Sequence, residues 1–345
     1  MNRKKSRRRF LKQTAIGTLG VSLFPSISKN LFSEEKKKPI YSIRKGCGNF
    51  FFKNGKPLLL DIAGKDKFKR LEAGISKLEG FSNLIKGRKI TLKPNTVAPN
   101  PYPVCTDPKF INHLCKILKD FSPSEISIYD SSGRTAAKFS AMGFEEISKK
   151  FGVKLVPDKP GNQKLFLPVK RKEWKVMSVI EISKHLYESE VIINLPTIKR
   201  HGEAAFSSAM KNHFGSVYGP NRWDNHARLR DKKNPAIVHK EFRIPFRLLA
   251  AEFSDVVRCE LNIVDAEDLL IKSGPLLAGA EIKKGVGRLL ISGDISGCDL
   301  VASKIMAEND DTYSEEMWKP VIDYAKELGL GENNIDSINI EKVIL

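Results

Sequence analysis

Three stretches decide the fold: Lys89-Ile90-Thr91-Leu92-Lys93-Pro94-Asn95, then Asp107-Pro108-Lys109-Phe110-Ile111, then Ile126-Ser127-Ile128-Tyr129-Asp130. The first reads as a short strand stopped by Pro94, because proline cannot donate to a sheet ladder. The second opens a helix, with Asp107 as N-cap and Pro108 in the first turn. Behind it Phe110, Ile111, Leu114, Ile117, Leu118 and Phe121 recur at helical spacing. The third is another strand, ending in Asp130-Ser131-Ser132-Gly133. Strand, helix and strand in succession is the repeat of an open α/β sheet.

The same alternation continues outward. Leu71, Ile75, Leu78, Phe81 and Leu84/Ile85 predict a helix within 67–86, and Phe144, Ile147 and Phe151 one closed by Gly152. Strands are expected over 153–156, 190–195, 261–264, 288–292 and 335–340. Helices are expected over 203–214, 246–257, 298–306 and 318–328, and a long loop over 218–243. The expected class is α/β, a mostly parallel sheet flanked by helices on both faces.

The chain has 345 residues, with 59 Lys+Arg against 40 Asp+Glu and a formal charge of +19. Its hydrophobic content of 41% is enough for a large core and excludes a disordered chain. The five cysteines, at 47, 105, 115, 259 and 298, contain no C-x-x-C pair, which argues against a zinc ribbon, an iron–sulfur cluster or a disulfide scaffold. Seven of the charges lie in residues 1–28, which have no acid, leaving +12 on the remainder.

That first segment reads as an address. Ser6-Arg7-Arg8-Arg9-Phe10-Leu11-Lys12, followed by an uncharged run from Thr14 to Phe24, resembles the twin-arginine export signal. The resemblance implies the twin-arginine translocation machinery as a partner and a periplasmic or otherwise exported location. Residues 29–57 read as a tether and N-terminal extension, with Lys36–Lys38 as its solvated part. Residues 58–345 read as one α/β domain, with two lobes split near 165–190 as the alternative.

Several expected strands end in polar groups: Lys93 with Asn95, Asp130, Lys199 with His201, Asp265, and Asp294. Open α/β sheets bind ligands beyond the carboxyl ends of their strands. If the strands are parallel neighbours, these groups converge on one rim. Lys199-Arg200-His201-Gly202 and Lys211-Asn212-His213 are the densest of them. Paired lysines with a histidine suit an anionic substrate and base chemistry.

Lys93-Pro94-Asn95, Asn194-Leu195-Pro196-Thr197-Ile198-Lys199-Arg200-His201 and Met210-Lys211-Asn212-His213-Phe214-Gly215 resemble the motifs of the domain of unknown function 362 family. Asn262-Ile263-Val264-Asp265, Gly274-Pro275 and the segment Asp294 to Asp299 resemble its later motifs, and His226 stands where relatives often have histidine. The resemblance spans roughly residues 60–330. Many members have ferredoxin-like cysteine clusters; this chain has none, so no iron–sulfur cluster is expected.

The resulting assignment has Lys199, His201 and Lys211 as catalytic candidates and Lys93, Asn95, Asn212 and His226 as ligand-binding ones. Asp265, Asp294 and Asp299 are candidates for a divalent metal, through oxygen ligands. The expected function is binding of an anionic small molecule at the sheet rim, with catalysis there left open. A non-enzymatic envelope binding protein for an anionic ligand is the alternative. Nucleic acid is not expected as a partner, since no aromatic-basic platform is present; a membrane surface, met through the N-terminus, stays open as one.

Overall fold

The structure is a computed structural model that describes residues 39–97, 100–234, 237–275 and 278–345. The export signal expected over 1–28 and the Lys36–Lys38 tether lie outside the described residues. Residues 39–345 form one compact unit. The small two-stranded sheet Phe166–Val169 with Ile180–Ser183, where a lobe boundary was the alternative, belongs to it.

A twelve-stranded sheet runs through this unit. Its main path is Phe52–Lys53, Lys56–Ala63, Arg288–Ser292, Leu261–Ile271, Val191–Leu195, Lys89–Pro94, Glu125–Asp130 and Lys154–Pro157. From Leu261–Ile271 to the Lys154–Pro157 edge every pairing is parallel. Arg288–Ser292 is antiparallel to both its neighbours, so its carboxyl end lies at the opposite rim. The expected α/β, mostly parallel architecture is what forms, with one reversed strand inside it.

Strand residues alternate between two cores, because successive side chains point to opposite faces. Ile90, Leu92, Ile126, Ile128, Val191, Ile193, Ile263 and Ile291 pack with helices Lys67–Lys77, Pro108–Asp120 and Phe144–Phe151. Tyr129, Ile192, Val264 and Leu290 pack with helices Arg243–Val257, Ile295–Asn309 and Lys319–Glu327. The sheet is thus covered on both sides.

Local details follow the residue types. The Asp107 side chain accepts from the Lys109 N–H at 2.9 Å, as an N-cap should. The helix expected over 67–86 is two, Lys67–Lys77 and Phe81–Ile85, split at Gly80, whose φ of 86° no helix tolerates. The last strand is Asn339–Ile344, after a 3-10 turn at Ile335–Ser337.

Two differences matter for the site. Residues 203–214 are not one helix. Thr197–His201 and Ala205–Ser207 form a hairpin, followed by a short helix Ala209–Asn212 and a 3-10 turn His213–Ser216. Residues Ala204 to Ser216 are buried on every side, so their apolar spacing reports total burial and not one helical face. Conversely, the expected loop 218–243 contains the helix Gly219–Arg228, which has Pro220 in its first turn and too few apolar residues for their periodicity to reveal it.

The expected extension over 29–57 is described from Pro39 on. Arg44 is buried there, 2.9 Å from Glu260 Oε1, and donates to the carbonyls of Ser189 and Arg258, each at 2.7 Å. Phe51 is buried in the sheet's first core.

Candidate functional site

Lys93 ends its strand and lies beside Asp130, which ends the next parallel strand. Lys93 Nζ donates to Asp130 Oδ1 at 2.6 Å and to Pro94 O at 2.9 Å, and both side chains are buried. Thr96 Oγ1, Ser132 Oγ and Ser132 N also donate to Asp130. Burial works against the Asp130 charge, but Lys93, Ser132 and Thr96 overcome it and hold the carboxyl below its ordinary range. Gly215 makes the pair possible: a Cβ there would stand 2.3 Å from Asp130 Oδ1 and 2.9 Å from Lys93 Nζ.

The hairpin after Pro196 brings Lys199 and His201 to the same place. Lys199 Nζ donates to Val104 O at 2.6 Å. Lys211, on the short helix, has its Nζ 3.8 Å from the Phe214 ring centroid. Among the described residues neither ammonium has a carboxylate within 4.0 Å. Burial pushes Lys199 down to about 8, and burial with the nearby Lys199 pushes Lys211 down to about 7. Arg222 is buried too and donates only to the carbonyls of Phe214 and Ser131.

These groups line one cavity of about 260 Å³, with Asn95, Thr96, Ser132, His201, Asn212, Trp223 and His226. All seven expected catalytic and ligand-binding residues line it: Lys199, His201, Lys211, Lys93, Asn95, Asn212 and His226. Asn212 also has a structural task. Its amide donates to Lys93 O at 3.0 Å and Asn194 Oδ1 at 2.8 Å, tying the short helix to the strand ends.

The three expected metal-binding aspartates are not brought together. Asp294 follows the reversed strand to the other rim, where it caps helix Ile295–Asn309 through Gly297 N at 2.7 Å and accepts from Glu332 N at 2.9 Å. Asp299 accepts from Ala209 N at 2.6 Å, Met210 N at 3.2 Å and Trp318 Nε1 at 3.1 Å. It therefore fixes the helix that presents Lys211. Asp265 accepts from Tyr102 Oη and Glu267 N, each at 2.9 Å. Asp294 and Asp299 are committed to backbone and indole donors, whereas Asp265 keeps its buried Oδ2 without a partner; among the described residues none of the three belongs to a group of three or more ligating side chains, so they do not form the shared metal site expected of them.

A different group can hold a metal ion: His201, Glu203 and His226 place one ligand atom each within 4.8 Å of one another. His226 Nδ1 lies 2.9 Å from Arg222 O and so donates its hydrogen there, leaving Nε2 as a lone pair. His201 Nδ1 accepts from Ala204 N at 3.1 Å and is 3.8 Å from Glu203 Oε2. Burial and Lys211 lower both histidines, His226 to about 4 and His201 well below its ordinary value, so both are neutral at pH 7. Sequence reading missed Glu203, which it absorbed into a helix, and Arg222, which stood in the expected loop.

No curated protein matches the chain. The fold is similar, at low identity, to the lactate racemase apoprotein from Thermoanaerobacterium thermosaccharolyticum, with 15% identity, a TM-score of 0.48, and 77% of this chain and 63% of that one covered. It is also similar to a protein from Thermotoga maritima, with 13% identity, a TM-score of 0.41, and 76% and 60% covered. The chain thus spans less than two thirds of either of these proteins. Residues 90–304, well over half of the chain, match the family described as Domain of unknown function (DUF362), and the chain belongs to that family.

Proposed function

We propose that the cavity binds a small anionic metabolite, a carboxylate or a phosphate, and moves a proton on it. One observation carries this reading: Lys199, Lys211 and Arg222 are buried around one cavity without a carboxylate partner, while Lys93 is neutralised by Asp130. Asp130 acts on Arg222 and Glu203 on Lys211 only from beyond ion-pair distance, so the cavity keeps an excess of positive character that an anion would complete while holding the two lysines protonated. Lys211, poised at about 7, can give or take a proton at neutral pH. His226 Nε2 is the second acceptor facing the cavity group. A divalent metal would be held by His226 Nε2 and the Glu203 carboxylate, with His201 giving up the Ala204 N–H to join them, and when bound it would act as a Lewis acid toward the anion.

The test is calorimetry of sulfate, phosphate and small carboxylates with the wild type, Lys199→Met and Lys211→Met. Binding that weakens at least tenfold in either variant supports the reading; equal affinity in all three proteins rejects it. The reading also includes twin-arginine export, supported by Ser6-Arg7-Arg8-Arg9-Phe10-Leu11-Lys12.

A further inference from the structure

The mouth of the cavity has features that the anion site does not use. Four of the twelve large apolar residues that stand exposed among the described ones fall within a short stretch: Trp223 at 47%, Ile237 at 51%, Phe242 at 41% and Ile244 at 43% exposure. Trp223 lines the cavity as well. The stretch is anchored to the body of the protein and to itself by internal contacts. His226, one turn after Trp223, packs on the buried Phe246 with ring centroids 4.5 Å apart, and Phe242 caps the helix Arg243–Val257 that carries Phe246. The arms that lead to Ile237 are joined by His239 N donating to Leu229 O at 2.9 Å and Asp231 N to Ile237 O at 3.1 Å.

Charge on this surface is one-sided. Arg228, Arg230, Lys232, Lys233, Lys240 and Arg243 are exposed, against Asp224 and Glu241 as exposed acids. Exposed aromatic and aliphatic side chains interspersed with cations match the boundary of an anionic bilayer. There the apolar groups enter the acyl region, and Lys and Arg meet the headgroups. A soluble surface needs neither Ile237 nor Phe242 in water, and a nucleic acid would give Ile237 and Ile244 nothing to pack against.

We propose that this surface, built from Trp223, Ile237, Phe242 and Ile244 with the six cations around them, docks on an anionic lipid bilayer and holds the mouth of the cavity at the membrane interface. Trp223 reports on it directly, because it is the exposed one of the chain's three tryptophans; Trp174 and Trp318 are buried.

The experiment mixes the full chain with vesicles of phosphatidylcholine alone or with 30% phosphatidylglycerol (roughly the anionic fraction that a basic surface needs). Expected are sedimentation with the anionic vesicles only, a blue shift of Trp223 emission, and loss of binding as salt rises. Phe242→Ser/Ile244→Ser should weaken partitioning on the order of tenfold and remove the shift. Lys232→Glu/Lys233→Glu should weaken it through charge alone, and as a surface change it also guards against a misfolded apolar variant. Both variants should bind sulfate as the wild type does, so this inference and the anion-site reading fail separately. Sedimentation without a change in Trp223 emission would place the contact on another part of the chain and overturn the proposal. So would a dimer that buries Trp223 without lipid, or a blue shift with RNA and none with vesicles.

Discussion

Sulfate binding should fall steeply between pH 6 and pH 8, and Lys211→Met should remove most of that fall. Sulfate is fully ionised across this range, so only the protein titrates. Lys211 stands at about 7 and Lys199 at about 8, both lowered chiefly by burial. The sign is fixed: each lysine attracts the anion only when protonated, so affinity is highest below the lowered value and is lost above it. For a site that binds only the protonated form, a group at about 7 is roughly nine-tenths charged at pH 6 and one-tenth at pH 8, a loss of about tenfold. A group at about 8 adds roughly another factor of two. The wild type should therefore lose about twentyfold, close to 1.8 kcal/mol by the factor of ten for each 1.36 kcal/mol. In Lys211→Met only the Lys199 factor of about two should remain. His201 and His226 stay neutral throughout, so they add nothing to the slope. The assay is isothermal titration with sodium sulfate at constant ionic strength, with a chelator present to keep metal out. A wild-type affinity that does not change with pH, or a twentyfold fall that survives in Lys211→Met, would refute the reasoning.

Gly215→Ala should cost about 1–3 kcal/mol in urea unfolding, since its new Cβ meets the Asp130–Lys93 pair; an unchanged midpoint would contradict the close approach. Arg44→Ala should cost about 3–5 kcal/mol by stranding Glu260 in the interior, and a loss under 1 kcal/mol would mean that the segment from Pro39 is peripheral to the fold. His226→Ala should lower cobalt or zinc content after dialysis against the metal by at least tenfold, read by elemental mass spectrometry, whereas Asp294→Asn should leave it unchanged; the reverse pattern would restore the aspartates as ligands. For export, Arg7→Lys/Arg8→Lys should leave the full-length precursor in the cytoplasm on fractionation, and normal export would remove the signal reading.

Much of the candidate site was legible in the sequence because it sits where parallel strands end. Lys93 and Asp130 each close an apolar run, and the sheet sets those runs side by side. Lys199 and His201 could be placed near the rim because Pro196 ends the strand before them. What followed was not legible. Residues 203–214 spell a helical period only because those from Ala204 on are buried on all sides, and a buried hairpin gives the same apolar spacing. Glu203 therefore vanished into a helix, although it stands two residues from His201. The helix Gly219–Arg228, which supplies Arg222, Trp223 and His226, buries Gly219, Arg222 and Asn225 at helical spacing, but these are not apolar residues and so an apolar count does not find them.

The aspartates show a different limit. Strand direction is set by the connections, and no local residue states it. Arg288–Ser292 ends in Gly293-Asp294 just as Glu125–Asp130 ends in Asp130, but it runs the other way, so Asp294 lands on the far rim. Asp299 was singled out for the right region and the wrong task. A carboxylate that receives two backbone N–H groups and an indole has little left to offer a metal, yet those same bonds hold Ala209 and Met210 and so aim Lys211 at the cavity. Its worth to the site is positional. Removing it should loosen Lys211 and weaken anion binding while leaving the metal group of His201, Glu203 and His226 intact. A titration of Asp299→Asn with sulfate and with zinc separates those two effects. Equal losses of both would mean that the short helix supports the whole cavity, and loss of zinc alone would return Asp299 to the metal.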